Sequence, residues 1–419
     1  MIGNGESSIV TTDESLMTMA LGIGFAFGQL VALILALNTS HGLGVNVRWL
    51  DRLVLATLFT LGLVGAGMVW VIWGTPWGAW PLVIRVYSIP CLALVLVGLP
   101  GATILRAMRR PLDEVKRTRA TTVDLRHGRD LADLVGAGLR ARVLALPFND
   151  ALRINTVEWS VRITALPPAL DGLSILHLTD LHFSPAYGRR FFEDAIEIAL
   201  ASGPPPDLVA ITGDYVDDDG AIEWIEPLLG RLRGRLGRFA ILGNHDYRHD
   251  FRALRRQLRR AGFRVLEGRW ATLEVDGVRL AIGGTTAPWG KDLARRPVPD
   301  ADAHLLLSHS PDQVYRASGM GVDLMLCGHN HGGQVRLPIL GPVLMPSRFS
   351  RRFDRGFFRV DQTLMFVGQG LGAKDPLRIG CPPEIVRITL QSVDMAECRA
   401  GEPAGAFLSE NEATCSRDE

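Results

Sequence analysis

The chain is poor in cysteine. Five occur in 419 residues, Cys91, Cys327, Cys381, Cys398 and Cys415. They are scattered, odd in number and without a CxxC pair. That argues against a disulfide framework or a zinc ribbon and fits reduced thiols in a cytosolic compartment. Charge imbalance is also lacking. The formal net charge is +1, so the basic footprint of a nucleic-acid binder is missing and nucleic acid is not indicated as a partner. No internal repeat is apparent. Charge is missing locally as well: Leu16–Leu37, Leu53–Trp73 and Val86–Leu105 contain no Asp, Glu, Lys or Arg.

Each of these three runs has about 20 residues, the length a membrane-spanning helix needs. One could be a buried soluble helix; three within a hundred residues argue against that. Pro90 and Pro100 predict a kink or a re-entrant course for the third. A cleaved signal peptide fits the first run poorly, because it lacks a basic n-region and a small-residue cleavage site after Leu37. Arg48 and Arg52 lie between the first two runs, Gly74–Pro81 is uncharged, and Arg106, Arg109, Arg110, Lys116, Arg117 and Arg119 follow the third. The positive-inside rule then predicts an outside N-terminus and everything after Arg106 in the cytoplasm. The expectation is a multi-pass inner-membrane protein with a lipid membrane as partner. The basic segment is read as a topology signal, with contact to anionic headgroups as the alternative.

The chain divides into a transmembrane region of about three helices (1–108), a charged connector with helical character around Leu131–Leu144 (109–150), a soluble domain (151–391) and a polar tail read as disordered (392–419). In the soluble domain, amphipathic stretches at helical spacing (Phe191–Ala201, Trp224–Leu232, Phe251–Ala261) alternate with short apolar runs. Later runs are strand-like: Trp270–Val275, Val278–Ile282, Leu364–Val367 and Ile385–Leu390. Asp276-Gly277 is a two-residue hairpin signal. The fold class is α/β (α+β) with a sheet-based core.

Five clusters carry the chemistry: Asp180-Leu181-His182, Gly213-Asp214, Gly243-Asn244-His245-Asp246, Ser308-His309-Ser310 and Gly328-His329-Asn330-His331. Each follows a strand-like run, and functional groups in open α/β sheets gather where strands end. Most are weak alone: any strand end can carry Asp180-x-His182, Gly213-Asp214 reads as a turn, His309 as a satisfied polar residue and Asn244-His245-Asp246 as turn chemistry, whereas Gly328-His329-Asn330-His331 is stronger because its two histidines can converge from one tight turn. Together they supply a mixed oxygen and nitrogen donor set. That set suits Mn²⁺, Fe²⁺/³⁺ or Zn²⁺ better than Ca²⁺ or a thiolate-loving ion. Two cations roughly 3.5–4 Å apart can clamp a phosphate and generate hydroxide near neutral pH. A bridging ligand is best a carboxylate, and Asp214, after the central strand signal, is the natural candidate.

The set Asp180-x-His182, Gly213-Asp214-x-x-Asp217, Gly243-Asn244-His245-Asp246, His309 and Gly328-His329-x-His331 resembles the calcineurin-like metallophosphoesterase family over roughly residues 155–391. Gly332–Pro338 and Pro376-Leu377-Arg378 with Pro382-Pro383-Glu384 resemble its bacterial membrane-linked phosphodiesterase subgroup. The resemblance implies a two-sheet β-sandwich flanked by helices and two divalent metal ions. Asp180, His182 and His331 would hold one ion, Asn244, His309 and His329 the other, and Asp214 would bridge them. His245 would donate a proton to the leaving group, oriented by Asp246; an imidazole positioned by a carboxylate is a competent general acid. Asn330 stands where the subgroup commonly has Thr, with its side chain expected to point away from the metals.

The function expected is a membrane-anchored phosphoesterase in which a metal-bridging hydroxide attacks a phosphodiester or pyrophosphate bond, with a lipid-linked substrate as the sharper form. A phosphomonoesterase of the same mechanism and a non-catalytic metal-binding scaffold are the alternatives. Among other residues, His177 reads as core or as support for a ligand, and Asp217 and Asp218 as entrance or loop residues. Tyr215 and Tyr247 are pocket-shaping candidates. Arg348, Arg351, Arg352 and Arg355 read more as a surface charge run than as a phosphate site. Trp289 reads as a cap for an apolar substrate or as packing, and Cys327 as buried.

Overall fold

The computed structural model describes residues 12–40, 75–136, 138–164, 166–293 and 300–393, with isolated positions between 49 and 68. Its centre is set by short strands that are apolar at nearly every position, the pattern of strands buried on both faces. Seven strands form one sheet: β1 (Val115–Asp124), β2 (Arg153–Ile163), β3 (Ser174–Leu178), β4 (Leu208–Thr212), β5 (Gly237–Ile241), β6 (Arg264–Val265) and, later in the chain, β15 (Glu384–Ser392). Their spatial order is β1-β2-β15-β3-β4-β5-β6. Six strands form the second: β7 (Arg269–Val275), β8 (Val278–Thr285), β9 (Ala303–Ser308), β10 (Leu324–Cys327), β13 (Gly356–Val360) and β14 (Thr363–Val367), ordered β13-β14-β10-β9-β8-β7. β11 (Arg336–Leu337) and β12 (Gly341–Pro342) make a small separate pair.

The two sheets pack face to face. Between them lie Ile175, Ala210, Phe239, Ile241, Ile282, Leu305, Leu307, Leu326 and Phe366. Alternate residues face outward. Leu176, Leu178, Val209 and Ile211 meet Phe191, Phe192 and Ile196 of α3 (Arg189–Ala201) and Leu254 and Leu258 of α5 (Phe251–Arg260), with α4 (Ile225–Leu229) between them in the chain. On the other side, Leu306, Met325, Cys327 and Met365 meet Val314 and Ala317 of α6 (Val314–Gly319). The result is helix, sheet, sheet, helix, in line with the α/β fold class expected. Sheet strands β3 to β6 are parallel, as are β8, β9, β10 and β14. Their C-terminal ends therefore point the same way within each sheet, and the ligand clusters sit there. The Asp276-Gly277 hairpin forms, pairing Val275 with Val278 and placing both turn residues at positive φ (48° and 81°).

Two long apolar helices precede the sandwich: α1 (Thr12–Ser40) and α2 (Leu82–Ala107). Both are long and apolar enough to cross a membrane. Pro90 lies inside α2 and a wider π-helical turn, Leu94–Gly98, follows it. Such turns take up the hydrogen-bond mismatch that a missing proline N–H creates. The third apolar run thus continues as one helix. The two helices approach closely at Gly28, where a methyl group would collide with the Cys91 carbonyl. Phe25 packs against Trp80 and Tyr87 at one end. At the other end, Asn38 and Arg106 both reach the sandwich: Asn38 bonds Ser350 (3.3 Å) and the Met345 N–H (2.9 Å), and Arg106 bonds the Leu340 carbonyl (3.5 Å). The helices run in the same direction.

Two sequence readings differ from this picture. The stretch 109–150, read as a connector, contains β1, which pairs with β2 along nearly its whole length. Only the short helices Leu131–Leu134 and Leu139–Leu144 represent the helical character expected there. The expected helix Trp224–Leu232 is a 3₁₀ turn, Asp219–Trp224, followed by the short α4. Most of Leu53–Trp73 and the tail from residue 394 lie outside the described residues.

Candidate metal centre

The five clusters converge because their loops cross-link. The Asp180 N–H donates to the Gly213 carbonyl (3.0 Å) and the His182 N–H to the Asp214 carbonyl (3.0 Å). The His245 N–H donates to Asp214 Oδ1 (2.8 Å), and the His329 N–H to Asp180 Oδ1 (3.1 Å). Gly243 and Gly328 make this approach possible: a methyl on Gly243 would collide with the Asp214 carboxylate, and one on Gly328 with Thr179 and Asp180. Asp180, His182, Asp214, His329 and His331 all adopt positive φ, between 46° and 69°. Non-glycine residues reach that region at a cost, and such strain concentrates at functional sites.

Three overlapping groups of donor atoms result: Asp180, His182 and His331; His182, Asp214 and His245; and Asp214, His309 and His329. Within each group the atoms lie within 4.8 Å of one another. Asp214 Oδ2 is 3.7 Å from His182 Nε2 and 3.2 Å from His309 Nε2, so it stands between the outer two groups. Asn244 Oδ1 is 3.0 Å from His309 Nε2. His331 Nε2 is 3.0 Å from His182 Nε2 and 3.5 Å from Asp180 Oδ1. All seven expected ligands and His245 are therefore brought into one place.

The imidazoles are oriented for this. His309 Nδ1 lies 2.7 Å from the Thr212 carbonyl, and His182 Nδ1 lies 2.8 Å from Asp217 Oδ2. Each acceptor fixes the proton on Nδ1 and leaves the Nε2 lone pair facing the site. The donors also make an excess of negative field. Burial disfavours an imidazolium, yet Asp217, Asp214 and Asp180 push His182 up to about 9, and Asp214 and Asp180 do the same for His309. Burial pushes the Asp180 carboxyl up, with Asp214 adding to it. Buried carboxylates and imidazole lone pairs held this closely are the donor set that divalent cations neutralise, so the residues fit the group.

Asp246 is not where the sequence reading put it. Its carboxylate accepts the N–H groups of Asp214 (3.0 Å), Tyr215 (2.8 Å) and Gly243 (2.7 Å), so it clamps two of the loops together. The carboxylate on the His245 ring is Asp217, whose Oδ1 is 2.6 Å from His245 Nδ1. Burial alone would raise Asp217; His182 and His245 outweigh it and hold the carboxyl far below its usual value. The Gly213-Asp214-x-x-Asp217 spacing was the available signal for Asp217. Arg378 entered the sequence reading only within a subgroup motif and was given no role at the site. It is fully buried, donates to the carbonyls of Gln369, Gly372 and Cys381, and places Nη2 3.2 Å from His331 Nδ1.

Among the other candidates, His177 packs edge-on against Phe366 and bonds Thr212 Oγ1 (2.9 Å). Burial pushes its pKa down to about 3, which keeps the ring neutral. Tyr215 belongs to the helix-side core, and Tyr247 bonds Glu267 and Thr286. Asn330 points away from the donors, as expected, and donates to the Phe353 carbonyl (2.7 Å). The Trp289 ring lies over the site, 4.8 Å from the His329 ring and 5.9 Å from His309.

The profile of the family described as calcineurin-like phosphoesterase matches residues 173–333, which hold all seven of these donors. The chain is 31% identical over 254 residues to an uncharacterized metallophosphoesterase, YkuE, of Bacillus subtilis, covering 58% of this chain and 87% of that protein. This chain belongs to the calcineurin-like phosphoesterase family. It is 31% identical to phosphodiesterase YaeI of Escherichia coli (52% of this chain, 81% of that protein). It is 25% identical to UDP-2,3-diacylglucosamine pyrophosphatase LpxG of Chlamydia trachomatis (56% and 88%). The calcineurin-like phosphoesterase described here is a metal-dependent phosphoester hydrolase, and the family uses a dinuclear divalent metal centre.

Proposed function

We propose that the protein is a membrane-anchored phosphodiesterase or pyrophosphatase whose substrate sits at the bilayer surface. The observation that carries the proposal is Asp214 standing between two His/Asp groups at the end of two packed sheets, beside a domain joined to two long apolar helices. Asp180, His182 and His331 would hold one cation, and Asn244, His309 and His329 the other, with Asp214 shared. Two divalent ions there would supply charge neutralisation and water activation; Mn²⁺, Fe²⁺/³⁺ and Zn²⁺ suit the donors. His245, held through Nδ1 by Asp217, presents Nε2 toward the site and delivers a proton to the leaving oxygen. Trp289 offers an apolar wall beside His329. The names of YaeI and LpxG favour diester or pyrophosphate bonds, and LpxG a lipid-linked substrate.

With α1 and α2 running in the same direction, a further span by Leu53–Trp73 would give three spans and put the catalytic domain in the cytoplasm, as the flanking arginines favour.

The test uses the full-length protein purified in detergent. Metal content at saturation should reach two ions per chain. Asp214→Asn and His245→Ala should each abolish most turnover on a panel of monoesters, diesters and lipid pyrophosphates. One ion per chain, or unchanged turnover in Asp214→Asn, would refute the mechanism; a preference for monoesters would refute the substrate class.

A further inference from the structure

A second site lies where the helices meet the sandwich. A cavity of about 720 Å³ opens between α1, α2 and the segment 337–352. Its walls are apolar, formed by residues such as Phe27, Leu30, Leu94, Leu105, Leu340 and Phe349. At its sandwich end it is lined by Arg106, Arg109, Arg351 and Arg352. The cations there outnumber their partners. Arg106 (3.4 Å), Arg109 (3.1 Å) and Arg336 (2.8 Å) all share the single carboxylate of Asp354. Among the described residues no carboxylate lies within ion-pair distance of Arg351, although Asp354 is near enough to act on it, and its Nε and Nη2 have no hydrogen-bond partner. Burial and the neighbouring Arg106 push the Arg351 guanidinium below its usual pKa, and Asp354, already shared by three other arginines, only partly opposes them. The side chain as a whole is half-buried, and a guanidinium N–H held out of water without an acceptor is costly.

We propose that this crevice binds one anionic membrane phospholipid, with its acyl chains between α1 and α2 and its phosphate on Arg351, Arg106 and Arg109. The proposal rests on the reading that α1 and α2 lie in the bilayer, and not on the chemistry of the metal centre. The occupant follows from the two ends of the site. The apolar walls exclude a free nucleotide or sugar phosphate as the natural fit, and the unpaired guanidinium excludes a neutral lipid. A phosphodiester headgroup accepts several guanidinium hydrogen bonds at once. The site also touches the catalytic loop from behind. Arg336 joins Asp354 to the Gly332 carbonyl, and Phe353, two residues from Arg351, accepts from Asn330 between the ligands His329 and His331. Lipid on Arg351 would thus steady the turn that carries both histidines.

The experiment measures lipid retention on the full-length protein in neutral detergent by native mass spectrometry. The probes are dioleoyl phosphatidylglycerol, dioleoyl phosphatidylcholine and inorganic phosphate. One phosphatidylglycerol per chain should be retained, with phosphatidylcholine at least tenfold weaker. Arg351→Gln and Ala102→Trp, which fills the cavity from α2, should each weaken retention at least tenfold; a thermal melt checks that both are folded, and Arg351→Gln alone suffices if Ala102→Trp is not. Asp214→Asn lies outside the crevice and should retain the lipid as wild type does, whatever its turnover. Equal retention of phosphatidylcholine, wild-type retention in Arg351→Gln, or displacement of the lipid by millimolar inorganic phosphate would each overturn the proposal.

Discussion

The Asp217 carboxylate lies 2.6 Å from His245 Nδ1. Its other oxygen lies 2.8 Å from Nδ1 of His182, so one side chain orients both a metal-group imidazole and the proposed proton donor. Carboxylates behind ligating histidines typically govern metal affinity or activity by about 10–100-fold. Asp217→Ala should therefore lower kcat/KM by about that factor or more, since two rings lose their anchor. Far-ultraviolet circular dichroism would confirm an intact fold. Activity within twofold of wild type would show that neither ring depends on Asp217.

Metal removal should be felt by the whole sandwich, because the donors come from loops on both sheets. An ion at one hundred times its dissociation constant stabilises the folded state by about 2.7 kcal/mol. Chelation should lower the thermal midpoint by several degrees, and Mn²⁺ or Zn²⁺ should restore it. An unchanged melting curve in chelator would mean that these groups hold no ion tightly.

Gly243 offers a conservative lesion. Adding one methyl drives it into the Asp214 carboxylate, the group shared between the two clusters. Gly243→Ala should lose at least one ion per chain and most turnover while keeping its secondary structure, read by metal analysis beside circular dichroism. Full metal content would show that the loop yields without moving Asp214.

Asp354 governs the junction between helices and sandwich. Burial would raise its carboxyl, but Arg336, Arg106 and Arg109 outweigh burial and hold it below the usual value. A carboxyl depressed in the folded state contributes stability above its unfolded pKa and loses it as pH falls through the folded value. The junction should be firm at neutral pH and weaken below about pH 4. Asp354→Asn leaves three guanidinium groups without their anion and should cost on the order of 3 kcal/mol at neutral pH. Its melting temperature should also vary less with acid than that of wild type. A parallel pH dependence in wild type and variant would place the acid-labile group elsewhere.

Much of the centre was legible because its signals are local. A ligand-rich turn after an apolar run is a short-range pattern, and five of them in order specify both the strand ends and the donors. What the sequence could not convey is orientation. Asp246 and Asp217 are both carboxylates near His245, and only the packing of the loops decides that one binds backbone amides and the other the ring. β1 escaped notice for a different reason: Val115–Asp124 is polar and largely exposed along its length, so it carries no core-facing alternation. Arg378 stood in a recognised motif, but its role at the site was not legible because a buried arginine has no periodic signature; its burial depends on carbonyls from three separate positions. The crevice beside Arg351 was read as surface charge, since nothing in a linear sequence brings Arg106 and Arg351 together.

The last strand of the sandwich is also one of its innermost. β15 lies between β2 and β3, parallel to the first and antiparallel to the second. The sheet that carries Asp180 and Asp214 therefore stays split until residues 384–392 have been synthesised. A ribosome-bound chain that already contains every ligand would still lack the strand that joins the two halves. Strands β1 and β2 reach β3, β4 and β5, which lead to Asp180, Asp214 and Asn244, only through this segment, so the outer pair completes the sheet only after the rest of the domain has been made.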